Sequence, residues 1–169
     1  MEPIVGVYTG EGVVVPVEGE ADSLLQGGFG YRRGRTHFLR SVEALFLVDR
    51  GRVQVLDEAT REPLSLKDLL DKFIPGDPEV WNRFLVYRDL RIRGYVVEVG
   101  EKGLLVYERG EYRKKPPSYW VRIIDEGRPI TSGELLDELA NLGEGVSLKL
   151  AVVDRRGEVV YYSADGKDF

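Results

Sequence analysis

Short apolar runs broken by glycine fill the first half of the chain, and longer alternating strand and helix patterns fill the second. Residues 4–8 and 12–17 are rich in Val and Ile and are separated by a glycine-bearing turn, which predicts two short strands. Residues 24–30, Leu-Leu-Gln-Gly-Gly-Phe-Gly, predict a turn of helix running into a glycine loop. A short strand follows at 35–39. Ser41 is placed to cap a helix over 42–49, with Gly51 as its stop. Residues 52–56 predict another strand. Ser65 and Asp68 have capping-box spacing and open a helix over 66–73.

Pro75-Gly76-Asp77-Pro78 is the strongest breaker in the chain and predicts a boundary between domains 1–76 and 77–169. Beyond it, Asp77 can cap a helix with Pro78 at its first position and Glu79 at its positive end. Val80, Phe84, Tyr87 and Arg91 share one face of that helix, and Gly94 ends it. Strands are predicted at 95–99, 104–108 and 119–124, then a helix over 134–142. A hairpin of 147–154 and 158–163 turns through Arg155-Arg156-Gly157. The fold class is mixed α/β, a small N-terminal α/β domain followed by a C-terminal domain.

Composition narrows the chemistry. The 169 residues contain no cysteine, which removes thiolate nucleophiles, disulfides and cysteine metal sites. With 31% charged residues, one histidine and one methionine, the chain has a thermophile's balance. No apolar run is long enough to cross a membrane and no signal-peptide layout opens the chain, so a cytoplasmic protein is expected. The net charge of −5 argues against a self-sufficient nucleic-acid binder and toward a partner that supplies positive charge.

Three blocks in the second half resemble the archaeal tRNA-splicing endonuclease family. Arg88-Asp89-Leu90-Arg91-Ile92-Arg93-Gly94-Tyr95 is similar to its R-D-L-x-x-R-G-Y helix end, Val106-Tyr107-Glu108-Arg109-Gly110 to its V-Y-x-x-G strand, and Ala151 to Asp154 with Tyr161 and Tyr162 to its terminal hairpin. In the first half, Gly28-Phe29-Gly30 and the stretch from Leu39 to Val48 resemble the family's G-x-G and L-S-x-x-E-A pattern. The resemblance implies a restriction-endonuclease-like C-terminal domain, a mixed sheet flanked by helices. It also implies a metal-free, cofactor-free transesterification in which Tyr is general base, His general acid, and Lys stabilises the charged transition state.

Only the Tyr position is kept, at Tyr107. Pro116, or Pro117 with a shift of one, stands where the family has His, and proline has no proton to transfer. Val146, or Ser147 with a slip of one, stands at the Lys position, and Lys149 is nearby in sequence. By resemblance the chain is the structural, non-catalytic subunit of a heteromeric enzyme, two copies with two catalytic subunits, and precursor tRNA is the shared substrate. Two other readings stay open: a competent endonuclease that uses a relocated acid or Lys149, and an unrelated α/β binding module.

Further residues have a functional and a plain reading. Arg32 and Arg33, with Arg35 and Tyr31, form a basic and aromatic loop suited to RNA, or a solvated turn. Arg113, Lys114 and Lys115 precede the two prolines and can guide RNA, or form an exposed basic turn. Arg88, Arg91 and Arg93 read as helix-terminal cations before phosphate contacts. His37 reads as packing or surface before catalysis. Val159, Val160, Tyr161 and Tyr162 form an apolar edge that needs a cover, and the family pairs this strand with a partner chain. Asp154 and Glu158 are the candidates for the family's acidic loop contact, diluted by Arg155 and Arg156.

Overall fold

A computed structural model describes residues 2–164. Residues 165–169, the tail of the expected second domain, lie outside the described residues. Two compact units divide between Phe84 and Leu85.

The first unit is a six-stranded mixed sheet in the order β3-β4-β2-β1-β5-β6. Its strands are β1 (Ile4–Thr9), β2 (Gly12–Val14), β3 (Tyr31–Arg33), β4 (Thr36–Leu39), β5 (Val53–Asp57) and β6 (Pro63–Leu64), with helices α1 (Glu18–Gln26), α2 (Ser41–Asp49) and α3 (Leu66–Phe73). Only β1 and β5 run parallel. The strand expected over 12–17 stops at Val14, because Pro16 has no N–H to continue the ladder. The short helix expected from residue 24 begins six residues earlier, at Glu18. Glu18 and Glu20 lie at its positive end and Ala21 and Leu24 are its buried positions, so its apolar face is too narrow to read as a period.

Ser41 is the first helical residue of α2, and Arg40 takes the cap position instead. The buried Glu43 carboxylate explains the shift. It accepts from the Arg40 N–H (2.8 Å) and from the Gly30 N–H (2.7 Å), which ties the glycine loop to the helix start. Gly30 has φ +85°, and a Cβ there would stand 2.4 Å from His37 Nε2 and 2.6 Å from the Phe38 carbonyl oxygen. The Ser65–Asp68 capping box forms as expected, at 3.0 Å and 2.9 Å.

The division between units falls inside α4 (Val80–Ile92). That helix starts three residues after the expected cap. Asp77 pairs its carboxylate with Arg83, and the Val80 N–H bonds the Asp77 carbonyl at 3.1 Å.

The second unit is a five-stranded mixed sheet in the order β11-β10-β9-β8-β7. The strands are β7 (Val96–Val99), β8 (Gly103–Tyr107), β9 (Tyr119–Asp125), β10 (Ser147–Val153) and β11 (Val159–Ser163). Only β9 and β10 are parallel, joined through α5 (Ser132–Asn141). Thr131 caps α5 by accepting from the Glu134 N–H at 3.1 Å.

Strand alternation gives this sheet two faces. One carries Val97, Leu104, Val106, Val121 and Ala151, all fully buried. It is closed by α4, where the Tyr161 hydroxyl donates to Asp89 Oδ2 at 2.6 Å. The other carries Leu105, Tyr107, Trp120 and Arg122, and Arg122 ties it to α5 through Glu138 Oε1 at 2.5 Å. Helices therefore flank both faces of a mixed sheet, as the fold class required.

The run that carries the strongest resemblance is structural in its contacts. Asp89 holds Tyr161 and also pairs with Arg93 Nε at 3.2 Å. Leu90 is buried, and Gly94 takes φ +97° to reverse the chain. Tyr95 packs edge-on against Tyr119 with ring centroids 6.3 Å apart.

Candidate functional site

The register sets Val106 beside Tyr119 and Tyr119 beside Ser147. The end of β8, the entry to β9 and the entry to β10 therefore lie side by side. Tyr107, the Pro116-Pro117 segment and Val146 come to one end of the sheet.

Tyr107 lies in a cavity of about 390 Å³ whose lining includes Glu98, Tyr112, Arg113, Lys115 and Pro116. Its hydroxyl donates to Glu98 Oε1 at 3.0 Å, and Tyr112 stands edge-on with centroids 5.0 Å apart. Burial, reinforced by the hydrogen bond to the Glu98 carboxylate, pushes the Tyr107 phenol up to about 12. A phenol so placed is a poor base near neutral pH. Glu98 escapes sequence reading because it belongs to the neighbouring strand, and only the β7–β8 register brings it to Tyr107.

The exposed cations Arg113, Lys114 and Lys115 gather on the same cavity. Arg113 adopts a left-handed backbone, φ +67°, which bends the basic turn around Tyr112 and costs an ordinary side chain about 1 kcal/mol. Lys115 pairs loosely with Glu111 at 3.9 Å. The cavity thus offers positive charge and aromatic surface, while Pro116 on its lining offers no proton.

Val146 lines a different cavity, of about 410 Å³, with Leu105, Trp120, Leu142 and Glu138. Lys149 is fully buried on the α4 face. Its register partner is Val121, which pairs with Leu104, and strand alternation sends those side chains away from Tyr107. Its ammonium donates to Ser163 Oγ at 2.9 Å and stands 5.7 Å from the Tyr119 ring centre. Among the described residues, no group of His, Cys, Asp and Glu is arranged to hold a metal ion.

Elsewhere, Arg32 pairs with Asp22, and Arg33 lies over Phe38 at 5.8 Å from the ring centre. Both remain exposed on the β3–β4 hairpin. His37, opposite Arg32 in that hairpin, is buried, and neither ring nitrogen has a hydrogen-bond partner. Burial, then the Arg32 charge, lowers its pKa, so it is held neutral as a packing residue.

β11 forms an edge of its sheet. Val160 and Tyr162 point to the α5 face at 47% and 56% exposure, while Val159 and Tyr161 are half-buried on the α4 face. Asp154 Oδ1 accepts from the N–H groups of Arg156 (2.8 Å) and Glu158 (2.9 Å), so that oxygen holds the hairpin turn. Glu158 is exposed. No helix among the described residues is long and apolar enough to cross a membrane.

Comparison with known proteins agrees with this arrangement. The family model for the tRNA intron endonuclease catalytic C-terminal domain matches residues 80–161, and that for the N-terminal domain matches residues 4–70. A tRNA-splicing endonuclease of Pyrococcus furiosus is 33% identical over 147 residues, covering 84% of this chain and 83% of its own length. One of Methanothermobacter thermautotrophicus is 33% identical, covering 75% of each chain. One of Methanosarcina barkeri is 28% identical across 90% of this chain, which corresponds to 44% of that larger protein.

Proposed function

The chain belongs to the tRNA intron endonuclease family, and we propose that within it the chain is a non-catalytic structural subunit of a heteromeric enzyme. The observation that carries this reading is the composition of the site. By the resemblance, Pro116 and Val146 stand where proton donor and cation are needed, and Tyr107 is bound to Glu98 with its phenol raised to about 12. Catalysis is then left to a partner chain that keeps the Tyr, His and Lys. We take the domain boundary ahead of Asp77, in the breaker that separates the two family matches.

In this role the chain holds a catalytic subunit at the spacing of two cuts in a bulge–helix–bulge precursor tRNA. Geometry of the assembly measures the substrate, in keeping with recognition of RNA by shape. The basic turn Arg113 to Lys115 and the exposed Arg33 supply positive charge to an otherwise acidic chain. Val160 and Tyr162, with the exposed Leu136 and Leu139 of α5, are apolar surface for the partner, and two chains of each kind make the assembly. Asp154 and Glu158 stay as candidates for an acidic contact with it. The cytoplasm, where its RNA is processed, is the proposed location.

The competing reading, a competent enzyme using Lys149, has its ammonium on the far face of the sheet from Tyr107 to overcome. The reading as an unrelated binding module falls with family membership. The test is cleavage of a bulge–helix–bulge precursor tRNA by this chain, by a chain carrying the full triad, and by their mixture. Cleavage that needs the mixture is the expected result. Cleavage by this chain alone would overturn the assignment.

A further inference from the structure

We infer that the cavity floored by Trp120 binds a single unpaired nucleobase of RNA whose phosphate rests on the adjoining Arg113 to Lys115 turn. This rests on the RNA-handling reading above. The cavity, about 410 Å³, has the size of a small-ligand site. Its floor is rigid. A Cβ on Gly103 would stand 2.8 Å from Trp120 Cζ2 and 2.4 Å from the Val121 carbonyl oxygen, and one on Gly100 would stand 3.0 Å from Trp120 Cη2. Two glycines therefore let the β7–β8 turn press the indole flat, leaving a fixed aromatic surface between Leu105, Leu142 and Val146.

Two observations select the ligand. Glu138 accepts from Arg122 through Oε1, and its other oxygen, Oε2, is buried without a hydrogen-bond partner. A buried acceptor left this way calls for an N–H donor. The charge is already balanced, because Arg122 faces Glu138 and Lys102 accompanies Glu101 on the lining. An uncharged planar group with an amino or ring N–H fits both demands, and a base stacked on tryptophan with its amino group on a carboxylate is such a group.

The neighbourhood selects RNA as its source. Leu105 lines this cavity and Tyr107, two residues along the same face of β8, lines the basic one. The strand rise puts them about 7 Å apart, the reach of one nucleotide from phosphate to base. Glu98, the register partner of Leu105, borders the basic cavity as well. A nucleotide laid across β8 would therefore meet cations at its phosphate and Trp120 at its base. Val146 is what makes the pocket apolar at the position where a catalytic chain has its lysine.

The experiment uses the full chain with Trp81→Phe, which leaves Trp120 as the single tryptophan. Its fluorescence is titrated with pentacytidylate and with a matching abasic ribose-phosphate oligomer, for the chain alone and assembled with its catalytic partner. Saturable quenching by the cytidylate alone is expected. Val146→Phe, which fills the cavity without removing the floor, should weaken the cytidylate roughly tenfold and leave the abasic oligomer unchanged. Trp120→Leu, which removes the fluorophore, should do the same when binding is read instead by the anisotropy of end-labelled oligomers. Glu138→Gln should erase any preference for cytidylate over uridylate. Equal affinity for both oligomers, or a Val146→Phe variant that binds cytidylate as tightly as before, would overturn the base pocket while leaving RNA binding intact. Failure of both oligomers to bind in either preparation would sink the RNA reading, and the pocket with it.

Discussion

The two faces of the C-terminal sheet are built from neighbouring residues and serve opposite ends. Under α4 the side chains of Val97, Leu104, Val106 and Val121 are fully buried, and the polar groups there are matched: Tyr161 to Asp89, Tyr119 to Glu108 at 2.9 Å, Lys149 to Ser163. On the other face the packing leaves two cavities, one of them against α5, an unsatisfied carboxylate oxygen and exposed Leu136, Val160 and Tyr162. The first face carries the buried core, and the second is the one to which the proposals above assign recognition. On the proposed reading as a non-catalytic subunit, the tight core is kept on one face and the open face is left for RNA and partner.

Mutations can break this contrast. The largest effect should come from Val160→Asp, which puts a charge on the open edge. The isolated chain should fold normally while assembly is lost on gel filtration, and an unchanged oligomer would show that the edge is not the joint. Next, Leu104→Ala should cost about 2–5 kcal/mol in denaturant melts, whereas Leu136→Ala, 64% exposed, should change the isolated chain by less than about 0.5 kcal/mol. Similar values for the two would erase the distinction between the faces.

Tyr161→Phe should cost about 1–2 kcal/mol by leaving Asp89 without its hydroxyl donor. It should also alter the alkaline limit. Burial, then the Asp89 hydrogen bond, raises the Tyr161 phenol above its ordinary 10, and Tyr107 and Tyr119 are raised to about 12. Raised folded pKa values contribute stability that is present below pH 10 and is lost as pH climbs from there toward 12. Melting temperature against pH should fall over that window, less steeply in Tyr161→Phe. The smallest effect is reserved for Tyr107→Phe, which should leave cleavage by the assembled complex nearly unchanged. A large loss with assembly intact would make Tyr107 catalytic.

Sequence reading succeeded where a signal was local. The Ser65–Asp68 box, the glycine stops and the order of the C-terminal strands each rest on residues a few positions apart. It failed where distant residues decide. Nothing near Ser41 announces that Glu43 will cap through Arg40 and reach back to Gly30, and β3 is hidden in a run of arginines because its partner β4 supplies the apolar side. The site divides the same way. Tyr107, Pro116 and the basic turn, which the resemblance singled out, line one cavity. Glu98, Tyr112, Trp120 and Glu138 were not legible, because a cross-strand register, a turn packing and a helix docking bring them in.

The terminal hairpin has an ambiguity written into it. Val159-Val160-Tyr161-Tyr162 is a doubled word. Slide it one place along β10 and each face still receives one valine and one tyrosine, so hydrophobicity alone cannot choose between the two alignments. The choice falls to punctuation: one Asp154 oxygen gripping two backbone N–H groups, and Gly157 turning at φ +83°. A lost residue in that turn would leave a strand of the same composition reading out of frame, with the wrong tyrosine offered to Asp89 and the wrong one offered to the outside.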